Sequence, residues 1–218
     1  MLNVDPVQPH EPAPAGVSSL GERLREERQL RGVSLRALAR GVGVSASMIS
    51  QIENGKARPS VSTLYAITSL LGVTMEELFE ARRDGAGGAP EQPPAAPPAA
   101  ALPVVVRPRE RHTLTLDTGV TWERLGEIAG KPVDFLLITY PPGATSSSSG
   151  GQMRHSGAEF GLVLQGELVL TLGFDEVRLH PGDAVSFPST TPHSYRNDGT
   201  EPAIGVWFVI ERDVVVGE

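Results

Sequence analysis

The 218 residues include 19 Lys/Arg and 26 Asp/Glu, a formal net charge of −7, with 39% hydrophobic content. That length holds one large domain or two small ones. The absence of cysteine excludes a disulfide framework, a thiolate metal site and a cysteine nucleophile. No run of eighteen apolar residues occurs, and Met1 to Gly16 is polar and Pro-rich without an apolar core. The expectation is a cytoplasmic chain with no membrane partner.

The charge is unevenly spread. Residues 17–83 carry ten Lys/Arg against seven Glu, whereas residues 84–218 carry nine against seventeen Asp/Glu. A basic segment joined to an acidic one is expected where only one domain must approach phosphates. Residues 84–103 read DGAGGAPEQPPAAPPAAALP, mix flexible and stiff linker composition and have no apolar periodicity. The chain therefore divides into a disordered tail (1–16), a helical domain (17–83), a Pro/Ala-rich linker (84–103) and a strand-rich domain (104–218).

In chain order, Ser19-x-x-Glu22 is a capping box ahead of Leu20, Leu24 and Leu30. Ser34 caps a second helix that turns Leu35, Leu38 and Ala39 inward. Gly41-Val42-Gly43-Val44 makes a turn, and Ser45 caps a third helix running to about Glu53. Asn54-Gly55 stops it, since both residues tolerate a left-handed backbone. Arg58-Pro59-Ser60 opens a fourth helix with Val61, Leu64, Ile67 and Leu71, and Thr74-x-x-Glu77 caps a fifth. Beyond the linker, strands are expected at Val104–Arg107, Thr113–Leu116, Phe135–Tyr140, Gly161–Leu164, Leu168–Leu172, Ala184–Phe187 and Ile204–Ile210. Many short strands without intervening helices make a sandwich or barrel.

The third helix splits into two faces. Met48, Ile49 and Ile52, with the cap Ser45, fall on one side; Ala46, Ser47, Ser50 and Gln51 fall on the other. Amide groups suit adenine edges, and small residues let a helix sit deep in the major groove. Residues 20–79, notably LRALARGVGVSASMISQIENGKARPSVSTLYAITSLLGVTMEELF, resemble the XRE/Cro-C1-type helix-turn-helix transcriptional regulators. The resemblance implies a five-helix bundle with Ser45–Glu53 as the recognition helix. It also implies phosphate contacts from the Asn54-Gly55-Lys56 loop and Arg58. Where many members place a phosphate-contacting Gln early in the second helix this chain has Leu35, and Arg36 is the substitute. The partner implied is double-stranded operator DNA with an inverted repeat, read by a homodimer. The competing reading of the residues alone is a helical protein-binding module with a solvated basic face.

In the strand-rich half, Glu159 precedes Gly166 by seven positions, and Gly182-x5-Pro188 is followed by His193 and Asn197. These resemble the two cupin motifs (cupin_2, RmlC-like), with Met153 in place of a first-motif His and Thr190 in place of a second-motif Gly. The fold class implied is α + β with two domains, the second a cupin β-barrel of jelly-roll type serving sensing and dimerisation. His155 and Glu159 are four apart, on one face of an extended strand, and His193 can meet them from a neighbouring strand. Two His and one carboxylate suit Fe(II), and also Mn, Ni or Zn. The alternative is a metal-free barrel in which these polar groups line a pocket for a small-molecule effector. Met153, Phe160, Phe187, Tyr195 and Trp207 are candidates for its lining, the aromatics serving equally as core. Two functions compete: a DNA-binding regulator with a ligand-sensing barrel and no catalysis, or a mononuclear iron cupin enzyme similar to the epoxidase acting on hydroxypropylphosphonate. The intact Ser/Gln face and basic loop favour the regulator.

Overall fold

The computed structural model describes residues 19–79, 105–128 and 133–210. The expected tail and linker, with Arg82, Arg83 and Val104, lie outside the described residues.

Four helices of eight residues or more form the first half: α1 (Leu20–Leu30), α2 (Leu35–Val42), α3 (Ala46–Glu53) and α4 (Val61–Leu71). The expected bundle of five short helices is reduced to these four, the fifth element, α5 (Met75–Phe79), being only five residues long. The N-termini form where hydroxyl caps were expected. Ser19 and Glu22 exchange side-chain-to-amide bonds in a capping box. Ser34, Ser45 and Ser60 accept the amides of Ala37, Met48 and Thr63 at 3.1, 3.0 and 3.2 Å. Each such cap contributes about 1 kcal/mol. Gly43, with φ at 80°, takes the left-handed conformation that ends α2 and turns the chain into α3.

Leu24, Leu38, Ala39, Ile49, Ile52, Leu64, Ile67 and Leu71 form the helical core. Two expected core residues face water: Leu30 is 67% exposed and Met48 42%. Leu30 is the last residue of α1, beyond its buried stripe. Met48 stands one position from Ile49, about 100° around the helix, so the inward face of α3 is Ile49 and Ile52 with Glu53. Arg28 is buried in a two-pronged pair with Glu53, Nε to Oε1 at 2.6 Å and Nη2 to Oε2 at 2.9 Å. This pair ties the end of α1 to the end of α3 and removes Arg28 from the cations available to a phosphate.

The second half is antiparallel throughout: β1 (Thr113–Thr115), β2 (Thr121–Gly126), β3 (Val133–Tyr140), β4 (Ala158–Gln165), β5 (Leu168–Leu172), β6 (Asp175–Leu179), β7 (Ala184–Pro188), β8 (His193–Arg196) and β9 (Ala203–Ile210). A six-stranded sheet runs β1-β2-β3-β9-β4-β7, and a three-stranded sheet runs β6-β5-β8. Residues 105–107 are irregular and lead into a 3-10 turn, Pro108–Glu110, so no strand forms there. Pro108 has no amide hydrogen for a ladder, which ends extended pairing. Strands β2 and β6, rich in charged or polar residues, were not foreseen, whereas β8 is the neighbouring strand expected to carry His193. Leu136, Ile138 and Tyr140 of β3 and Trp207 and Val209 of β9 alternate inward. Gly161 of β4 lies under Trp207, where a Cβ would stand 2.5 Å from the indole.

The start of α4 rests on the barrel. Asp117 donates its amide to the Pro59 carbonyl and Ser62 donates to the Ser146 carbonyl, each at 2.9 Å. No described helix is long and apolar enough to cross a membrane.

Candidate functional site

Two sites emerge, one exposed and one buried. On α3, Ser47 and Gln51 are exposed, Ala46 and Ser50 half-buried, and the cap Ser45 exposed. Asn54, Lys56 and Arg58 in the following loop, and Arg36 on α2, are also exposed. Asn54 bonds back through Nδ2 to the Ser50 carbonyl at 2.7 Å, which presets the loop. Ile49 and Ile52 hold the opposite side of α3 in the core. The helix thus presents a short, uncharged, hydrogen-bonding surface with cations at its edges.

The buried site is His155, Glu159 and His193, all within the barrel. β4 turns Glu159 inward between Phe187 of β7 and Val209 of β9. His193 opens β8, and Met153 pairs directly with it through two backbone bonds of 2.8 and 2.9 Å. The His155 amide is fixed by the Ser189 carbonyl at 3.0 Å. The Nδ1 atom of His155 faces the Ser156 carbonyl at 3.1 Å, and that of His193 faces the Thr191 carbonyl at 2.8 Å. A carbonyl only accepts, so each Nδ1 donates and each Nε2 turns inward. Both Nε2 atoms lie 2.8 Å from the same oxygen, Oε1 of Glu159. The Nε2 of His193 is buried and off line for a hydrogen bond.

Neutral imidazoles in this tautomer would aim two lone pairs and a carboxylate oxygen at one small space. Such an arrangement is satisfied by added protons or by a cation. Cis ligands about 2.1 Å from a metal lie about 3 Å apart, so the donor set fits a divalent cation. The second oxygen of Glu159 accepts the Tyr195 hydroxyl at 2.8 Å, and that hydroxyl accepts from Trp207 Nε1 at 3.2 Å. Burial works against the Glu159 carboxylate, but the His155 hydrogen bond and the close approach of both histidines outweigh it and hold its pKa down to about 2. Burial also disfavours a charged His193, yet the adjacent Glu159 and the Thr191 carbonyl raise its pKa. Burial pushes the Tyr195 phenol well up, so it stays a donor. The site could hold a metal ion.

Comparison with known proteins settles the family. A family model described as a helix-turn-helix matches residues 24–78, and one described as a cupin domain matches residues 136–209. The HTH-type transcriptional regulator PuuR of Escherichia coli (strain K12) is 32% identical over 180 residues, 81% of this chain and 86% of that one. The chain belongs to the HTH-type transcriptional regulators. The regulator SutR of the same organism is 27% identical, covering 84% of this chain and 89% of that one. A crystal structure of an HTH_3 family transcriptional regulator from Vibrio cholerae has the same fold, with a TM-score of 0.60 and 24% identity over 88% of this chain and 95% of that one. The named relatives matched over four fifths of this chain are transcriptional regulators, which supports the regulator over the enzymatic alternative.

In this regulator the structure brings His155, Glu159 and His193 together, but His155 and Glu159 do not share a strand as expected: His155 lies in the irregular stretch before β4, which begins at Ala158. Met153, Tyr195 and Trp207 line the adjoining cavity, and Phe187 packs edge-on against His193 with ring centroids 5.0 Å apart. Phe160 does not belong to the pocket. It follows the inward Glu159 on a strand, so alternation turns it outward, where it is 44% exposed. Asn197 of the second motif is structural: its Nδ2 bonds the Tyr140 and Glu201 carbonyls at 2.7 and 2.8 Å. Sequence reasoning missed Trp122, Leu136, Ile138 and Tyr140 as pocket walls, and above all Val61 and Tyr65 of α4. The signal for Tyr65 was available: α4 reads VSTLYAITSLL, apolar nearly all round, and such a helix is buried on more than one side.

Proposed function

We propose that this regulator is a cytoplasmic homodimer that reads an inverted repeat through α3 and responds to a small-molecule effector held in the barrel. The observation that carries the reading is the exposed face of α3, with Ser45, Ala46, Ser47, Ser50 and Gln51 toward the bases. Arg36, Asn54, Lys56 and Arg58 flank it as phosphate contacts. An enzyme that had abandoned DNA would have no need to keep that face clear of charge and ringed by cations.

The barrel, taken as residues 104–218, is the sensing and pairing unit, joined by the linker 84–103 to the reading unit 17–83. His155, Glu159 and His193 would hold Fe, Mn, Ni or Zn, with Tyr195 orienting Glu159. A bound cation would offer open coordination positions to an oxygen- or nitrogen-bearing effector. Met153, Tyr195 and Trp207 shape the space around it.

The test is selection of duplexes from a random library by the full chain, with native mass and elemental analysis of the same preparation. The expected result is a dimer that recovers inverted repeats with half-sites about one helical turn apart and carries one divalent metal per chain. Recovered duplexes without an enriched sequence would remove the regulator reading. A metal-free protein after incubation with Fe(II), Mn(II), Ni(II) and Zn(II) would remove the metal alone.

A further inference from the structure

The cavity beside the metal centre is closed by the DNA-reading half. Val61 and Tyr65 of α4 line it together with Trp122, Leu136, Ile138 and Glu159. The Tyr65 ring lies flat on the His155 imidazole, centroids 4.0 Å apart and planes 3° from parallel, and its edge leans on Trp122 at 5.7 Å. What remains is a cavity of about 20 Å³, on the scale of one water molecule. Sites for organic ligands occupy roughly 300–1,000 Å³.

For an organic effector to reach the triad, space must therefore be made there by moving a wall. Trp122, Leu136, Ile138 and Trp207 are set in the strands of the six-stranded sheet and cannot withdraw without breaking its ladders. The α4 wall is different. Near its start it is held by two backbone hydrogen bonds, Asp117 to Pro59 and Ser62 to Ser146, and by the aromatic contacts of Tyr65. It also moves with the rest of its bundle: α4 and α2 approach so closely that a Cβ on Gly41 would lie 2.0 Å from the Leu70 side chain.

We propose that Tyr65 and the start of α4 form the lid of the effector site, so that a barrel filled by an organic effector and a docked reading head exclude one another. This rests on the sensing role proposed above and specifies which state the effector selects. The effector would not bend α3. It would release the whole reading unit from the barrel mouth and change the geometry available to a dimer on DNA. Linkage makes the relation reciprocal: whatever the effector contributes to undocking, undocking contributes to effector affinity.

Hydrogen exchange in the full chain tests this, because the Ser62 and Asp117 amides are bonded only across the junction. The probe is 4-nitrocatechol, an aromatic chelator far larger than the closed cavity, added to the Co(II)-loaded chain and followed by its own absorption. As it saturates, the two amides should exchange at least tenfold faster. The Met153 and His193 amides, paired inside the barrel, should remain protected and so report that the barrel is folded. Tyr65→Ala should bring the same acceleration without the probe and tighten nitrocatechol binding at least fivefold; Tyr65→Phe, which keeps the ring stack, should do neither. If Tyr65→Ala loosens the bundle itself, Tyr65→Leu is the milder truncation with the same expectation. Saturation by nitrocatechol with Ser62 and Asp117 still protected would overturn the lid, as would truncations at Tyr65 that leave both amides unchanged. If neither wild type nor variant takes up cobalt, the metal reading fails instead, and exchange in the Tyr65 truncations decides the lid by itself.

Discussion

The two halves of the molecule place their informative polar residues in opposite ways. In the helical half, Ser47, Gln51, Asn54 and Lys56 stand in water, and the buried charged pair, Arg28 with Glu53, only braces the bundle. In the barrel, His155, Glu159, His193 and Tyr195 are buried, while exposed charges such as Arg196, Glu176 and Asp198 pair among themselves. The difference suits the roles proposed for the two halves. A polyanion as large as DNA is met on a surface, where donors and cations must remain reachable. A single ion is held by lone pairs withdrawn from water, where their mutual repulsion is relieved only by positive charge.

The comparison breaks first at Arg28. Arg28→Ala leaves Glu53 buried without its cation and should cost the helical half about 3–5 kcal/mol. In a Trp122→Phe background, which removes the tryptophan touching Tyr65, the fluorescence of Trp207 on β9 reports the barrel, while far-ultraviolet dichroism follows the helices. The helical signal should melt at lower denaturant than the tryptophan signal. Coincident transitions in the variant would mean that the halves fold as one unit.

Within the barrel, His193→Ala should abolish stoichiometric metal, read by elemental analysis, without unfolding the sheets. Tyr195→Phe removes the hydroxyl that orients Glu159 and should weaken metal affinity about 10–100-fold, measured by competition with a chelator of known affinity. An unchanged affinity would reduce Tyr195 to a core residue. Lys56→Ala, at the exposed edge of the reading face, should have the mildest effect. It should weaken all duplexes alike and lower the slope of log affinity against log salt by about 1.8, one phosphate contact being lost in each half-site. A loss confined to one sequence would make Lys56 a base reader.

The opposite placement also explains what could be read from sequence. The helical half was legible because its signals are local: a hydroxyl at the cap, a partner three residues on, a glycine at the turn. Its errors, Leu30 and Met48, fall where a residue lies just off the buried stripe. The metal-capable triad was legible in part, since His155 and Glu159 are close in sequence and both family motifs were present. Strands β2 and β6 were hidden because TWERLG and DEVRL carry charges without a clean apolar alternation. β6 is an edge strand and can carry charge on it. Phe160 was misassigned although its place next to the inward Glu159 already turned it outward by strand alternation. The contact of Tyr65 with His155 joins residues ninety positions apart across a linker, and no local pattern encodes that pairing.

That α3 reads bases rather than merely resting on phosphates is tested most directly at Gln51. The measurement is the affinity of Gln51→Ala for a selected operator and for its single-base variants at each position of the half-site, all at one salt concentration. The expected result is that discrimination collapses at one base pair, in both half-sites symmetrically, by about 1–3 kcal/mol, while the other positions keep theirs. An equal loss on every sequence, or no loss on any, would contradict base reading by this face.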